Sequence, residues 1–180
     1  MRLLLSLFLS LALLGTGPAF AQIKKEVSEV TDATRLVSKS MRSLVSSSYP
    51  GHGSFRAVYE NPPKKSAIWQ LSLFGFAKAE TAMTAASTVR MQVDGQTITP
   101  LKVESRTRDL DDSILEIKEA TFTRADFQRI ATAQNVTATV GPMSFEMTRP
   151  LRKDLRLILD RVPKGEGPQT ASTDDSSSND

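Results

Sequence analysis

Residues 89–99 read VRMQVDGQTIT, with apolar and polar side chains alternating on both sides of Asp94-Gly95. Such alternation is typical of β-strands that bury one face. Asp-Gly between two alternating segments is the strongest short signal for a β-hairpin, because both turn positions need a positive φ. This segment therefore predicts two antiparallel strands joined by a tight turn.

Further strand candidates lie on both sides of this hairpin, and most follow one another with no helix between them. That order favours a mainly antiparallel sheet or sandwich over a βαβ array. Gly75 interrupts the alternation of one candidate, which we interpret as a β-bulge, and residues 77–87 have no clear period and are expected to form a loop. The candidates are residues 55–60, 67–74, 101–104, 113–118, 136–140 and 143–148.

Three segments have helical spacing. Apolar residues in the segment 22–48 recur every three or four positions, which predicts an N-terminal amphipathic helix with a heptad seam. Thr123 is expected to cap a second helix, and Pro150 to start a third. The sequence thus predicts an α+β fold, mainly antiparallel, with one N-terminal helix and two helices in the C-terminal third. The seam consists of Ile23, Val27, Val30, Thr34, Val37, Met41 and Leu44.

The two ends of the chain differ from its middle. Met1-Arg2, an apolar run over residues 3–14 and Ala19-Phe20-Ala21 form the three-part pattern of a secretory signal peptide, which we assign to residues 1–21. Residues 163–180 contain no large apolar side chain and predict a disordered acidic tail. A β-rich globular domain is expected over 49–162. We therefore expect a bacterial periplasmic or secreted protein without a membrane span after cleavage.

Composition restricts the possible chemistry. The 180 residues include no Cys and one His, so disulfides, thiolate metal sites and thiol catalysis are excluded. His52 next to Ser54 lacks the third group of a hydrolase triad, and the acidic run 109–112 lacks the Gly of a calcium loop. No catalytic, cofactor-binding or metal-ligating residue is predicted. The aromatic residues are expected in the core: Trp69, Phe74, Phe76, Phe122, Phe127 and Phe145.

Four basic residues on the last helix form the predicted partner-binding site. They occupy the arc opposite the apolar stripe of that helix, which consists of Leu151, Leu155, Ile158 and Val162. A cationic face of this kind favours an anionic partner, so we expect an envelope protein or an anionic surface and no nucleic acid. The predicted binding residues are Arg149, Arg152, Lys153 and Arg156.

The sequence therefore predicts an exported, non-enzymatic binding or interaction domain of the bacterial envelope or medium. Two alternatives stay open. A hydrolase that relies on carboxylates would need neither Cys nor His, and its candidates are Glu116, Glu119 and the acidic run 109–112. A structural protein could instead assemble into homo-oligomers through the seam of the N-terminal helix.

Overall fold

The computed structural model describes residues 23–27, 32–38, 42–43, 49–63 and 65–163. The predicted signal peptide lies outside these residues, as does the predicted tail beyond Pro163. In chain order the described elements are β1 (Ile23–Val27), β2 (Thr34–Ser38), β3 (Arg42–Ser43), β4 (His52–Asn61), β5 (Ile68–Ala77), α1 (Ala82–Ala85), β6 (Val89–Val93), β7 (Gln96–Ile98), β8 (Lys102–Leu110), β9 (Ser113–Phe122), α2 (Arg124–Thr132), β10 (Val136–Val140), β11 (Met143–Glu146) and α3 (Arg149–Arg161).

Two antiparallel sheets form the framework of the described residues. The larger sheet has the strand order β1-β2-β4-β5-β9-β8, with the short β3 paired to β4. The smaller sheet has the order β11-β10-β6-β7. Both sheets are built mainly from strands that are adjacent in sequence or nearly so, which is the usual outcome of hairpin connections.

One face of the larger sheet, here called the inner face, lies against the core. Its Leu71 and Leu73 share a cluster of buried side chains with Met91 and Ala138 of the smaller sheet. The helices contribute to the same cluster, because the Phe127 ring of α2 lies 5.3 Å from the Trp69 ring of β5. The α3 helix packs on β4 and β2 of the larger sheet. The smaller sheet and the two C-terminal helices thus contribute to one core with the inner face.

The hairpin at Asp94-Gly95 is confirmed. The φ angles of these residues are 46° and 82°, as a primed turn requires, and β6 and β7 pair on either side of them. The carboxylate of Asp94 also accepts hydrogen bonds from the backbone N–H groups of Gln134 and Asn135, the latter at 2.8 Å. The turn therefore holds the connection between α2 and β10 in place.

The predicted N-terminal helix over 22–48 is wrong, and with it the α+β assignment. The described part of this segment forms β1, β2 and β3, and the described elements are mostly antiparallel strands with three short helices. The β-branched side chains that made the seam favour strands, and pairing with β4 sets Leu36 beside Tyr59 at the edge of the core. The two helices of the C-terminal third are present, and Thr123 caps α2 through its side chain.

Two smaller expectations are also wrong. The pairing of β5 is continuous through Gly75, with Gly53 on one side and Glu116 on the other, so Gly75 is not a bulge. The segment expected to be a loop contains α1, which Thr81 caps. Among the described residues, no helix is long and apolar enough to cross a membrane.

Candidate functional site

The structure divides the four predicted binding residues of α3 into one buried and three exposed side chains. Arg152 is 7% exposed and donates hydrogen bonds to the backbone carbonyls of Met147 and of Gln134, the latter at 2.9 Å. Burial, aided by repulsion from Arg149 and Arg156, lowers the pKa of Arg152. Its guanidinium thus joins the start of α3 to the preceding segments instead of facing solvent.

Arg149, Lys153 and Arg156 are exposed and follow one another along α3 at intervals of four and three residues. We call these three side chains the α3 cationic row. Residues at these intervals lie on one helix face, over about 10 Å of helix axis. Within the described part of the chain, none of the three forms an ion pair with a carboxylate.

A buried polar network of described residues surrounds Glu116 on the inner face of β9. Its carboxylate is 1% exposed and accepts hydrogen bonds from the Tyr49 hydroxyl at 2.8 Å and the Thr81 N–H at 2.8 Å. The Thr81 hydroxyl, the Thr84 hydroxyl and the Thr84 N–H also donate to it. Burial by itself would raise the pKa of Glu116, but the hydrogen bonds from Thr84, Thr81 and Tyr49 outweigh it and lower the pKa.

Lys118 continues this network two residues further along the same face of β9. Its ammonium group is buried and donates to the Thr84 carbonyl at 3.0 Å, the Ala86 carbonyl at 2.5 Å and the Ser105 hydroxyl. Burial lowers the pKa of Lys118, against the attraction of Glu116, which raises it. Glu116 thus accepts from the start of the α1 segment and Lys118 donates to its end, so together they fasten α1 to the sheet.

Tyr49 completes the network from outside the strands. Its hydroxyl donates to Glu116, and burial followed by this hydrogen bond raises the pKa of Tyr49 well above its usual range. A raised tyrosine pKa and a lowered carboxyl pKa keep both groups in the states that this hydrogen bond needs. The network is saturated with internal partners, and its arrangement is that of a structural clamp.

The other carboxylates singled out in the sequence are not brought together with Glu116. Glu119 lies on the opposite, outer face of β9, where Arg106 forms an ion pair with it. Asp111 and Asp112 form the exposed turn between β8 and β9. In the described ranges no three His, Cys, Asp or Glu side chains converge as ligands for one metal ion.

His52 and Ser54 begin β4 and also lie on the outer face of the larger sheet. His52 is exposed, whereas Ser54 is 9% exposed. Their neighbours across β5 are Phe76 and Phe74. The two residues thus lie beside an apolar surface, where neither Glu116 nor Lys118 reaches them.

That apolar surface consists of four half-buried side chains on the outer face, which we call the outer apolar patch: Phe74, Phe76, Leu115 and Ile117. None of the four belongs to the described core, so the expectation that both phenylalanines are core residues is wrong. Phe74 and Phe76 alternate with Leu73 and Gly75, which face inward. In the sequence, the apolar positions change at Gly75 from odd-numbered residues to Phe74 and Phe76, a change that a bulge would also produce. The structure shows instead a continuous strand with apolar side chains on both faces.

A groove of about 430 Å³ lies between the C-terminal end of α3 and the inner face of β1, β2 and β4. Lys25 and Arg161 stand at its rim, and Leu36 and Tyr59, both nearly inaccessible to solvent, form its floor. Arg161 donates to the Ile23 carbonyl at 3.0 Å, which ties the helix end to β1. Little of the floor of the groove is therefore accessible to a ligand.

Comparisons of the chain with protein-family models, with curated proteins and with solved structures returned no significant match.

Proposed function

We propose that this chain is an exported, non-enzymatic binding domain that contacts an anionic envelope protein or anionic surface through the α3 cationic row. The observation that carries the proposal is the separation of roles on α3. Arg152 is committed to two backbone carbonyls, while Arg149, Lys153 and Arg156 extend into solvent along one line. The signal-peptide pattern of residues 1–21 supports export.

The spacing of the row suits an extended anionic target. Neighbouring cations lie about 4.5–6 Å apart along the helix axis, which is less than the Debye length of about 8 Å at physiological salt. Their potentials therefore add at the surface of the helix. A target with several negative groups gains more from this arrangement than a single small anion does.

The hydrolase alternative has less support from the geometry. An acid and a carboxylate partner must face each other across a substrate, at about 5–9.5 Å in glycosidases. Glu116 and Glu119 face opposite sides of the larger sheet, and each already has internal partners. The self-assembly alternative relied on the N-terminal helix, which the described strands replace.

Salt elution from immobilised heparin, a general polyanion, and co-sedimentation with phosphatidylglycerol vesicles test the proposal on residues 22–180. The variant R149Q/K153Q/R156Q should elute at clearly lower salt than the wild type and lose vesicle binding if the anionic surface is a lipid. A matched variant, K65Q/K78Q/R90Q, removes the same charge from scattered exposed positions. Equal elution of the two variants, or a wild type that neither column nor vesicles retain, would contradict the proposal.

A further inference from the structure

The register of the larger sheet arranges the outer face in straight cross-strand rows. One row reads His52, Phe76, Leu115, Arg108 across β4, β5, β9 and β8, and the next reads Ser54, Phe74, Ile117, Arg106. A third row reads Arg56, Ser72, Glu119, Glu104. The outer apolar patch therefore occupies the two central strands in the first two rows, and charged or polar side chains occupy the flanking strands and the whole third row.

We propose that this outer face binds a second copy of the same chain, sheet against sheet, about a twofold axis that runs parallel to the strands between β5 and β9. Such an axis places β5 of one copy over β9 of the other. Phe74 then meets Ile117 of the second copy, and Phe76 meets Leu115. Two sheets that pack with their strands nearly aligned are a common arrangement, with about 10 Å between them.

Charge complementarity favours a second copy as the occupant. The same axis places β4 of one copy over β8 of the other, so Arg56 in the third row lies opposite Glu104. Glu104 is exposed, and its ion-pair partner is the neighbouring Lys102 on its own strand. The twofold axis repeats the contact, so each interface contains two such pairs in addition to the apolar centre.

A rotation of about 30° between packed sheets is normal. Arg56 and Glu104 stand about 7 Å from the axis, one and a half strand spacings away. At that distance the rotation moves the backbone by about 4 Å, which these two long side chains can span. Their pairing is therefore compatible with the usual geometry.

The same two residues cannot meet within one chain. Arg56 and Glu104 lie in the same row but three strand spacings apart, or about 14 Å. Each residue also has a partner in its own chain, because Arg56 donates to the Ser38 carbonyl at 3.5 Å and Glu104 pairs with Lys102. Each single charge change therefore also alters an intrachain contact, and only recovery in the double variant reports a contact between Arg56 and Glu104. This separation makes the pair a specific probe of the proposed orientation.

The expected association is weak. The three rows across these four strands supply about 12 residues per copy, fewer than the 20–30 of a standard interface. We therefore expect a dissociation constant in the micromolar range and an equilibrium that dilution shifts. The outer face and the α3 cationic row lie on opposite sides of the larger sheet. The dimer therefore leaves the α3 cationic row of each copy accessible.

Sedimentation velocity of residues 22–180 between about 2 and 200 µM tests the inference. The wild type should shift from monomer to dimer over this range, whereas Ile117→Glu should stay monomeric. Leu101→Glu is the matched control, because Leu101 is 70% exposed and lies outside the patch. A wild type that is monomeric throughout, or a control that dissociates as readily as Ile117→Glu, overturns the proposal.

Charge exchange keeps the inference testable if Ile117→Glu fails to fold. Arg56→Glu and Glu104→Arg should each weaken the dimer at least fivefold, and the double variant should recover most of the wild-type affinity. Recovery supports the twofold arrangement. If the loss of dimerisation free energy in the double variant equals the sum of the losses in the two single variants, Arg56 and Glu104 do not meet across the interface and the arrangement is wrong.

Discussion

Gly75 lies directly beneath the phenol group of Tyr49. A Cβ atom placed on Gly75 would be 2.1 Å from the Tyr49 hydroxyl oxygen and 2.6 Å from the ring carbon that bears it. The same hydroxyl donates to Glu116 at 2.8 Å, and Glu116 is the cross-strand neighbour of Gly75. The missing side chain at position 75 therefore makes room for the hydrogen bond that begins the buried network.

Gly75→Ala should destabilise the domain by about 2–4 kcal/mol. The added methyl group overpacks the site and displaces Tyr49 from Glu116, so strain and a lost hydrogen bond act together. Urea unfolding, followed by the fluorescence of the single Trp69, measures the change. A cost below about 0.5 kcal/mol, the size of an ordinary surface substitution, would show that Tyr49 is not held above Gly75.

A double-mutant cycle distinguishes the contact from a general effect of alanine. Tyr49→Phe removes the hydroxyl group and should cost about 1–2 kcal/mol, because one donor to Glu116 is lost. In the Tyr49→Phe background, Gly75→Ala should cost less than it does in the wild type, since the nearest clashing atom is gone. Strict additivity of the two changes would contradict the contact.

Glu116 should make the stability of the domain depend on acidic pH. Its folded-state pKa lies below the unfolded value of about 4.5, so its contribution is complete above that pH and is lost as the pH falls through the folded-state pKa. Glu116→Gln should destabilise the domain by about 2 kcal/mol at pH 7. The difference from the wild type should shrink towards pH 3.

Urea unfolding of both proteins between pH 3 and pH 7 checks this dependence. Glu119→Gln is a suitable control, because Glu119 lies on the outer face of the same strand and pairs with Arg106. It should reproduce most of the wild-type pH profile. A constant difference between wild type and Glu116→Gln across the pH range would mean that the carboxylate charge contributes nothing.

Arg152 and Arg156 should respond differently to the same substitution, although both belong to the predicted basic arc. Arg152→Met leaves the carbonyls of Met147 and Gln134 without their donor and should cost about 2–3 kcal/mol. Arg156→Met changes an exposed side chain and should alter stability by less than about 0.5 kcal/mol. Thermal melting of the two variants in parallel compares them, and equal melting temperatures would place Arg152 at the surface.

Local sequence signals predicted the elements that local chemistry specifies. Asp94-Gly95 and Thr123 produced the turn and the cap that their residue types indicate. The apolar stripe of α3 is buried as its spacing suggested, including Leu151 and Leu155. The turn, the cap and the helical spacing of α3 each depend on residues within a few positions along the chain, although the burial of the stripe itself depends on packing against β4 and β2.

The remaining features depend on strands that are distant in sequence. Glu116 and Lys118 face inward because β9 pairs with β5 and β8, and their partners come from a segment more than 30 residues earlier. No periodicity within β9 identifies those partners. Likewise, the outer apolar patch appears only when the rows across β5 and β9 are assembled, whereas the sequence of β5 alone favours a bulge at Gly75.

In the N-terminal segment the apolar residues have helical spacing but the structure is strands, and the burial of two residues distinguishes the two structures. The heptad seam includes Val27 and excludes Leu36, so a helix would bury Val27 and expose Leu36. The strands do the opposite: Val27 is 62% exposed at the end of β1, and Leu36 is 7% exposed beside Tyr59. Leu36→Ala should therefore cost about 2–3 kcal/mol, as the truncation of a buried leucine does, and Val27→Ala should cost less than about 0.5 kcal/mol. Urea unfolding of both variants decides between the two structures, because the helix requires the reverse order and only the paired strands make Leu36 the more costly position.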